Sequence, residues 1–491
     1  MSKNTTKRSL LASVFALVLC VAMLVGSTFA WFTDTASTGV NKIVSGNLKV
    51  DIIGADSDSH IEKLNFTKAA VTDAEAGAEI LWEPGCRYLT EGFRIANKGN
   101  LALKWKAQVN TGTTVANEGN FDLLDVIDFY LVTKAADGTE TETALDVFTG
   151  NLKKTETSDV YYIKGVMQTT AGNDYQGLTL DGISITVVAT QDTVENDSFN
   201  NQYDKDAEYP ILVTTGDELQ ATVSNATAPV NIVLANNITT NNFVIPADKD
   251  VTLDLNGRTV TNAGSHTILN KGHLTLTDSS TDKSGQIISL KGNTAALRNG
   301  DNAVCVVEGG TISRDGANGN TWHVVENFGK MTFNGGKVVL KNGNGFAITN
   351  GWNYYNSVVH TPHAVMEINA LELDTDSSGI KNCPDGDLIV NDVTVNSTGY
   401  WALSNEAAGR GTVVINGGTL TSSNFKAVSN GAEMTVNGGT FNGTEGLYVQ
   451  NYATSTVLNG GTFANMDANA LSGYVGTGHT AQQSGTSVII K

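Results

Sequence analysis

Few side chains in this sequence are both chemically able and spaced to act together. His360-Thr361-Pro362-His363 sets two imidazoles close together, but two ligands are too few to hold a metal ion. Trp352, Tyr354, Tyr355, His360 and His363 share one segment. They form a candidate glycan contact, in which a flat ring lies against the apolar face of a sugar. His323-Val324-Val325-Glu326 lacks the second histidine that a His-Glu-x-x-His zinc site requires, and it falls in a predicted strand rather than on a helix. His60, beside Asp58 and Ser59, reads as a solvated loop residue. Arg314-Asp315-Gly316 reads as a solvated turn pair, and Asp254, Asp278, Asp374 and Asp392 share no common offset. The sequence therefore predicts no catalytic set, no cofactor and no metal site.

The elements that must position these residues are repeats. An apolar strand ending in Asn recurs at Asn270, Asn299, Asn327, Asn350, Asn382, Asn405, Asn430 and Asn451, with spacings of 29, 28, 23, 32, 23, 25 and 21 residues. Such a period marks a solenoid, whose coils stack because none can bury its apolar face alone. Asn-Gly-Gly closes several coils, at 334–336, 416–418, 437–439 and 459–461. The pattern is similar to the right-handed parallel β-helix of the pectate-lyase type, in which the resemblance implies an inward Asn ladder. An amide both donates and accepts, so identical residues can satisfy one another along a stack. About ten coils at roughly 4.8 Å each give a rod on the order of 50 Å long. The clustered Asp and basic residues that lyases and polygalacturonases of this type use are missing. One coil is longer: Asn350 to Asn369 spans 19 residues, against 7 from Asn327 to Asn334, and the insertion holds the aromatic and histidine segment.

Residues 31–205 lack the repeat and read as short strands with polar turns, an antiparallel sandwich. Phe93–Ala96 and Leu101–Trp105 are joined by the turn-forming Asn97-Lys98-Gly99-Asn100. Several separated motifs resemble the camelysin/TasA family of secreted bacterial proteins. They are Phe29-Ala30-Trp31-Phe32-Thr33-Asp34, Ser45-Gly46-Asn47-Leu48, Trp82-Glu83-Pro84-Gly85, Asn97-Lys98-Gly99-Asn100-Leu101-Ala102-Leu103-Lys104 and Glu195-Asn196-Asp197-Ser198-Phe199. The resemblance covers roughly residues 8–204. It implies a jelly-roll sandwich, release by a SipW-type signal peptidase, and a role in extracellular fibres or biofilm matrix. Some members are described as metalloproteases, but the motif for that chemistry is absent here.

Lys3, Lys7 and Arg8 precede an apolar run from Leu10 to Val25. That run is shorter than the roughly 20 residues of a membrane span, and Thr28-Phe29-Ala30 follows as a small-x-small cleavage site. The chain carries a net charge of −19, which disfavours nucleic acid and anionic membranes as partners. Cys86, Cys305 and Cys383 cannot all pair, so buried free thiols are expected. The organisation predicted is a signal peptide over 1–30, the sandwich over 31–205, a linker over 206–215 and the β-helix over 216–491. A helix at Asp217–Asn225, with Asp217 as its N-cap, would cover the first coil. The predicted function is a secreted, non-catalytic matrix or cell-surface structural or adhesive protein. A polysaccharide-binding module, or a β-helix lyase or hydrolase, is the alternative. Partners expected are the signal peptidase, matrix proteins or further copies of the chain, and polysaccharide, with no membrane association after processing. N-terminal sequencing of the exported form should give Trp31, the residue after Ala30; any other start would refute this cleavage site.

Overall fold

The computed structural model describes residues 47–61, 64–67, 82–110, 113–114, 121–145, 147–181, 184–192, 209–317, 322–352, 358–406 and 410–491. The leader, the cleavage residues Ala30 and Trp31, the motif at Glu195–Phe199, and Tyr354 and Tyr355 lie outside them. The fold is all-β: an antiparallel domain followed by a parallel β-solenoid of about ten turns.

The antiparallel domain is built from two principal sheets. The larger centres on Val50–Gly54, Phe93–Asn97 and Tyr161–Met167; the smaller holds Ser184–Gln191, Leu103–Asn110 and Phe148–Leu152. Alternating side chains from both meet in one core around Phe93, Ile95, Leu103, Trp105 and Ile163. Trp105 stacks edge-on against Phe148 at 5.6 Å. A Cβ on Gly150 would sit 2.7 Å from the Trp105 indole, so only glycine lets that ring lie flat on the facing strand. The turn at Asn97–Asn100 does not make a hairpin. Its flanking strands belong to different sheets, because the Asn97 amide pulls the chain across by donating to Leu101 O at 2.7 Å and Lys153 O at 3.1 Å.

Three parallel sheets form the solenoid, here termed A, B and C. Sheet A holds 11 strands from Ile211–Val213 to Ser455–Leu458, sheet B holds 12, and sheet C holds 9 from Phe243–Ile245 to Leu447–Val449. Inward residues alternate along each strand and stack into a single core that runs from Val213 to Ile490. Val188 of the antiparallel domain packs with Leu212, Val233 and Ala235 at the solenoid's first coils.

Asn pairs with Asn in register from Asn270 through Asn430 on sheet C. Each Nδ2 donates to the Oδ1 of the next coil: Asn270 to Asn299 at 2.8 Å, Asn299 to Asn327 at 2.8 Å, Asn327 to Asn350 at 2.8 Å, Asn350 to Asn382 at 2.9 Å, Asn382 to Asn405 at 3.2 Å and Asn405 to Asn430 at 2.9 Å. All seven are fully buried. The second amide hydrogen is also used, as where Asn405 donates to Glu433 O at 2.9 Å. Asn451 is not a member. Its coil is shorter, so Val449 stands opposite Asn430 and Asn451 falls in an exposed turn. Asn430 instead donates to Ser455 O and Thr456 Oγ1, both at 2.8 Å.

A second ladder arises where the Asn-Gly-Gly turns stack with the turns at Asn369-Ala370 and Asn391-Asp392. Asn369 donates to Asn334 at 2.9 Å, Asn391 to Asn369 at 2.7 Å, Asn416 to Asn391 at 2.7 Å, Asn437 to Asn416 at 2.8 Å and Asn459 to Asn437 at 2.9 Å. Its bonds point toward the N-terminal coils, opposite to the buried ladder. The two glycines have separate reasons. A Cβ on Gly417 would lie 2.7 Å from Asn391 O of the coil beneath, and Gly418 has φ +94°.

Both ends of the stack are covered. Helix α1 (Gly216–Asn225) buries Leu219 and Val223 over the first coil. Its N-cap is Thr215, not Asp217: the Thr215 hydroxyl accepts from Glu218 N, while the Glu218 carboxylate accepts from Thr214 N at 2.8 Å. This is a reciprocal capping arrangement, and it places Asp217 in the first turn. At the far end, Ser487–Ile490 adds to sheet B antiparallel to Gly461–Phe463 and pairs in turn with Ala481–Ser484. Cys305 and Cys383 are buried free thiols, and Cys86 is half-buried. Burial pushes the Cys305 and Cys383 thiols up to about 12.

Asn405→Ala deletes two donated bonds and leaves Asn382 and Asn430 each short of a partner, so it should cost about 2–4 kcal/mol. Asn416→Ala deletes the same kind of rung on the exposed ladder and should cost under about 1 kcal/mol, because water replaces it. Chemical unfolding of the two variants checks this; equal losses would show that burial does not set the cost.

Candidate functional site

The outward face of sheet C carries the solenoid's densest chemistry. Its strands are three residues long over much of the stack, with ends inward, so the central residue points out. The register lines up Leu269, Arg298, Glu326, Thr349, Lys381, Ser404, Ser429 and Tyr448. Glu326 is only 4% exposed despite facing out. Its carboxylate is satisfied twice, by Arg298 Nη1 at 3.0 Å and by Trp322 Nε1 at 3.0 Å. Further along, Lys381 pairs with Glu406 at 2.6 Å, and Ser404 donates to the same carboxylate at 3.1 Å.

The long turn after Phe346–Asn350 brings part of the aromatic and histidine segment together. Trp352 and His360 stack face to face with centroids 4.0 Å apart and planes 6° from parallel. Trp352 also leans on Phe328 at 5.6 Å. The His360 amide donates to Asp385 Oδ2 at 2.9 Å. Asp385 is wholly buried and sits 3.1 Å from Arg410 Nε in an ion pair. His363 turns away and pairs with Asp387 at 3.0 Å. His360 and His363 therefore do not converge, and no group of three or more His, Cys, Asp or Glu is placed to hold a metal among the described residues.

Several of the remaining candidates have structural partners. His60 lies 2.6 Å from Asp51 at the protein surface. Asp278 is buried and accepts from Gly257 N at 2.9 Å and Gly285 N at 2.7 Å, organising a turn between sheets A and B. Asp374 pairs with Lys337 at 2.5 Å. Arg314 is not a solvated turn residue. It is 1% exposed and points inward, its guanidinium donating to Ser289 Oγ at 2.6 Å and Lys291 O at 2.9 Å; burial pushes its pKa down to about 10. The strand's alternation explains this, since Arg314 occupies the inward position that Ser289 holds one coil earlier.

Two histidines border the Glu326 end of the face. Ala295 N donates to His266 Nδ1 at 2.8 Å, and His323 Nδ1 bonds Phe346 O at 2.9 Å. Burial lowers the pKa of both, outweighing the pull of Glu326. The chain matches no protein-family model, and a search of curated proteins finds no similar one.

Because burial disfavours the protonated form of both imidazoles in the folded chain, the unfolded chain takes up protons more readily below its histidine pKa of about 6.5. Their stabilising contribution is thus complete above about pH 6.5 and is lost as the pH falls through that value toward the lowered folded pKa. The urea midpoint should drop between about pH 7.5 and about pH 5.5, and drop less in a His266→Gln, His323→Gln variant. An unchanged drop would assign the effect to other groups.

Proposed function

We propose that this chain is an extracellular structural or adhesive protein, exported by its leader, in which the antiparallel domain assembles and the solenoid presents a stiff face. The observation that carries this reading is the buried Asn ladder, unbroken over seven coils of a stack that is covered at both ends. A stack so cross-linked holds surface residues at fixed spacing over tens of ångströms, which suits display and attachment. The resemblance of the N-terminal region to the camelysin/TasA family supports export by a SipW-type peptidase and a place in a matrix. Two of the motifs behind that resemblance have clear packing roles: Trp82 meets Phe66 at 5.5 Å and Tyr88 at 5.1 Å, and Asn97 directs the crossing between sheets. The Trp352–His360 stack on an outward turn favours a second reading, polysaccharide binding.

Cleavage after Ala30 would leave Trp31 and Phe32 at a free end, and strand addition to a neighbouring domain would bury them. Deleting residues 31–40 should abolish polymers seen by electron microscopy of the purified mature protein. Polymers that persist in the deletion, or a strictly monomeric parent, would overturn assembly by this route.

A further inference from the structure

Aromatic side chains are distributed unevenly around the solenoid. Between Ile211 and Phe463, every described Trp, Tyr and Phe is either buried in the core or placed on sheet C and its bordering turns. The outward rows of sheets A and B hold mainly Thr, Ser, Val, Asn and charged residues instead. Several of the rings are open to solvent: Trp322 and Tyr448 are each 36% exposed, Tyr400 58% and Tyr452 61%. An aliphatic or hydroxyl side chain would cover the same strands with less apolar surface left in water, so one ring-rich face among three calls for an occupant.

The polar groups on this face repeat one arrangement three times: a cation paired to a carboxylate and laid over a ring. Arg298 pairs with Glu326 and lies 4.6 Å from the Phe328 centroid. Lys381 pairs with Glu406 and lies 5.4 Å from Phe346. Lys426 pairs with Glu445 at 3.0 Å and lies 3.7 Å from Tyr448. Each unit is close to neutral and sets donors and acceptors beside an apolar plane. The units span from strand Leu297–Asn299 to strand Leu447–Val449, six strand spacings or roughly 29 Å. Trp401 and Phe425, at 4.7 Å, add further rings beside the last unit, Trp401 lying 6.0 Å from Tyr448.

We propose that the outward face of sheet C, from Arg298 to Tyr448, binds a neutral polysaccharide lying along the solenoid axis. Trp322, Tyr400 and Tyr448 are its stacking platforms, and the paired charges are its hydroxyl partners. A pyranose presents an apolar ring face and a rim of hydroxyls, which is the alternation of ring and fixed polar pair found here. Charge selects against polyanions: the cations are already neutralised, and the chain as a whole carries −19. The surface deepens the adhesive reading above, yet it can be tested without export or self-assembly.

Purified mature protein is sedimented with cellulose and with chitin, and its tryptophan fluorescence is titrated with cellohexaose, chitohexaose and laminarin. Polygalacturonate serves as the polyanion control. At least one neutral glycan should bind with little salt dependence. Trp322→Ala, Tyr400→Ala, Tyr448→Ala together should weaken it about tenfold or more, while Thr419→Ala, Thr421→Ala on sheet B should leave it unchanged. Tyr400→Ala alone, at the most open of the three platforms, should weaken it with no change in the unfolding midpoint, which separates lost contact from lost fold. Failure of every neutral glycan to bind, binding unaffected by the ring variants, or salt-sensitive preference for polygalacturonate would each overturn the proposal. None of those results would bear on secretion or polymer formation.

Discussion

A buried amide that must find its partner in the next coil is the constraint on which the solenoid depends. Hydrophobic burial along the core is non-directional; it forbids a slip of one residue, which would turn the apolar side chains outward, but stacked Ile, Leu and Val would tolerate a slip of two. The Asn ladder does not. Slippage would place an amide against an aliphatic neighbour and leave a donor and an acceptor unsatisfied in the interior. The ladder therefore fixes which residue faces which in sheet C, and through the short turns it fixes sheets A and B as well. Everything outside, including the eight-residue outward row, inherits its spacing from this inner line of hydrogen bonds.

The direction of the two ladders follows from their neighbours. Buried amides are held by backbone groups, as where Gly272 N donates to Asn270 Oδ1 at 3.1 Å and Asn270 donates to Val304 O at 2.8 Å. In the exposed ladder two amides also reach carboxylates, Glu308 accepting from Asn334 at 2.8 Å and Glu367 from Asn391 at 3.2 Å. The result is two side-by-side chains of amide dipoles with opposite sense, which oppose one another along the axis. The Asn-Gly-Gly motif thus combines an outer rung, a close passage over the coil beneath and a left-handed backbone step in three residues.

The fold class was legible because the solenoid repeats its least negotiable residue at nearly constant spacing. What stayed hidden depended on geometry that spacing does not encode. Asn451 fits the sequence pattern, but the last coil is shorter and the register there favours Val449. Arg314 beside Asp315 looks like a solvated pair until strand alternation turns the guanidinium inward. Asn97–Asn100 has the composition of a hairpin turn, yet an amide bond steers it between sheets. Only Trp352, His360 and their neighbours stood out as a candidate site, because they share an insertion. Trp322, Trp401 and Tyr448 belong to the same face but come from coils scattered over more than a hundred residues, and only stacking brings them into one strip.

The C-terminal hairpin has a mechanical consequence. Parallel strands can in principle accept another rung indefinitely, and an open stack would let one molecule continue as the next. Here the last parallel strand of sheet B is met by one of reversed direction, Ser487–Ile490, which Ala481–Ser484 then flanks, and the segment from Ala468 folds over the neighbouring edge, with Leu471 buried and Val475 bridged to Leu458. With α1 closing the opposite end, the solenoid is a measured bar rather than an extendable thread. A filament of such bars joined through their flanks or through the antiparallel domain would take its repeat distance from that joint.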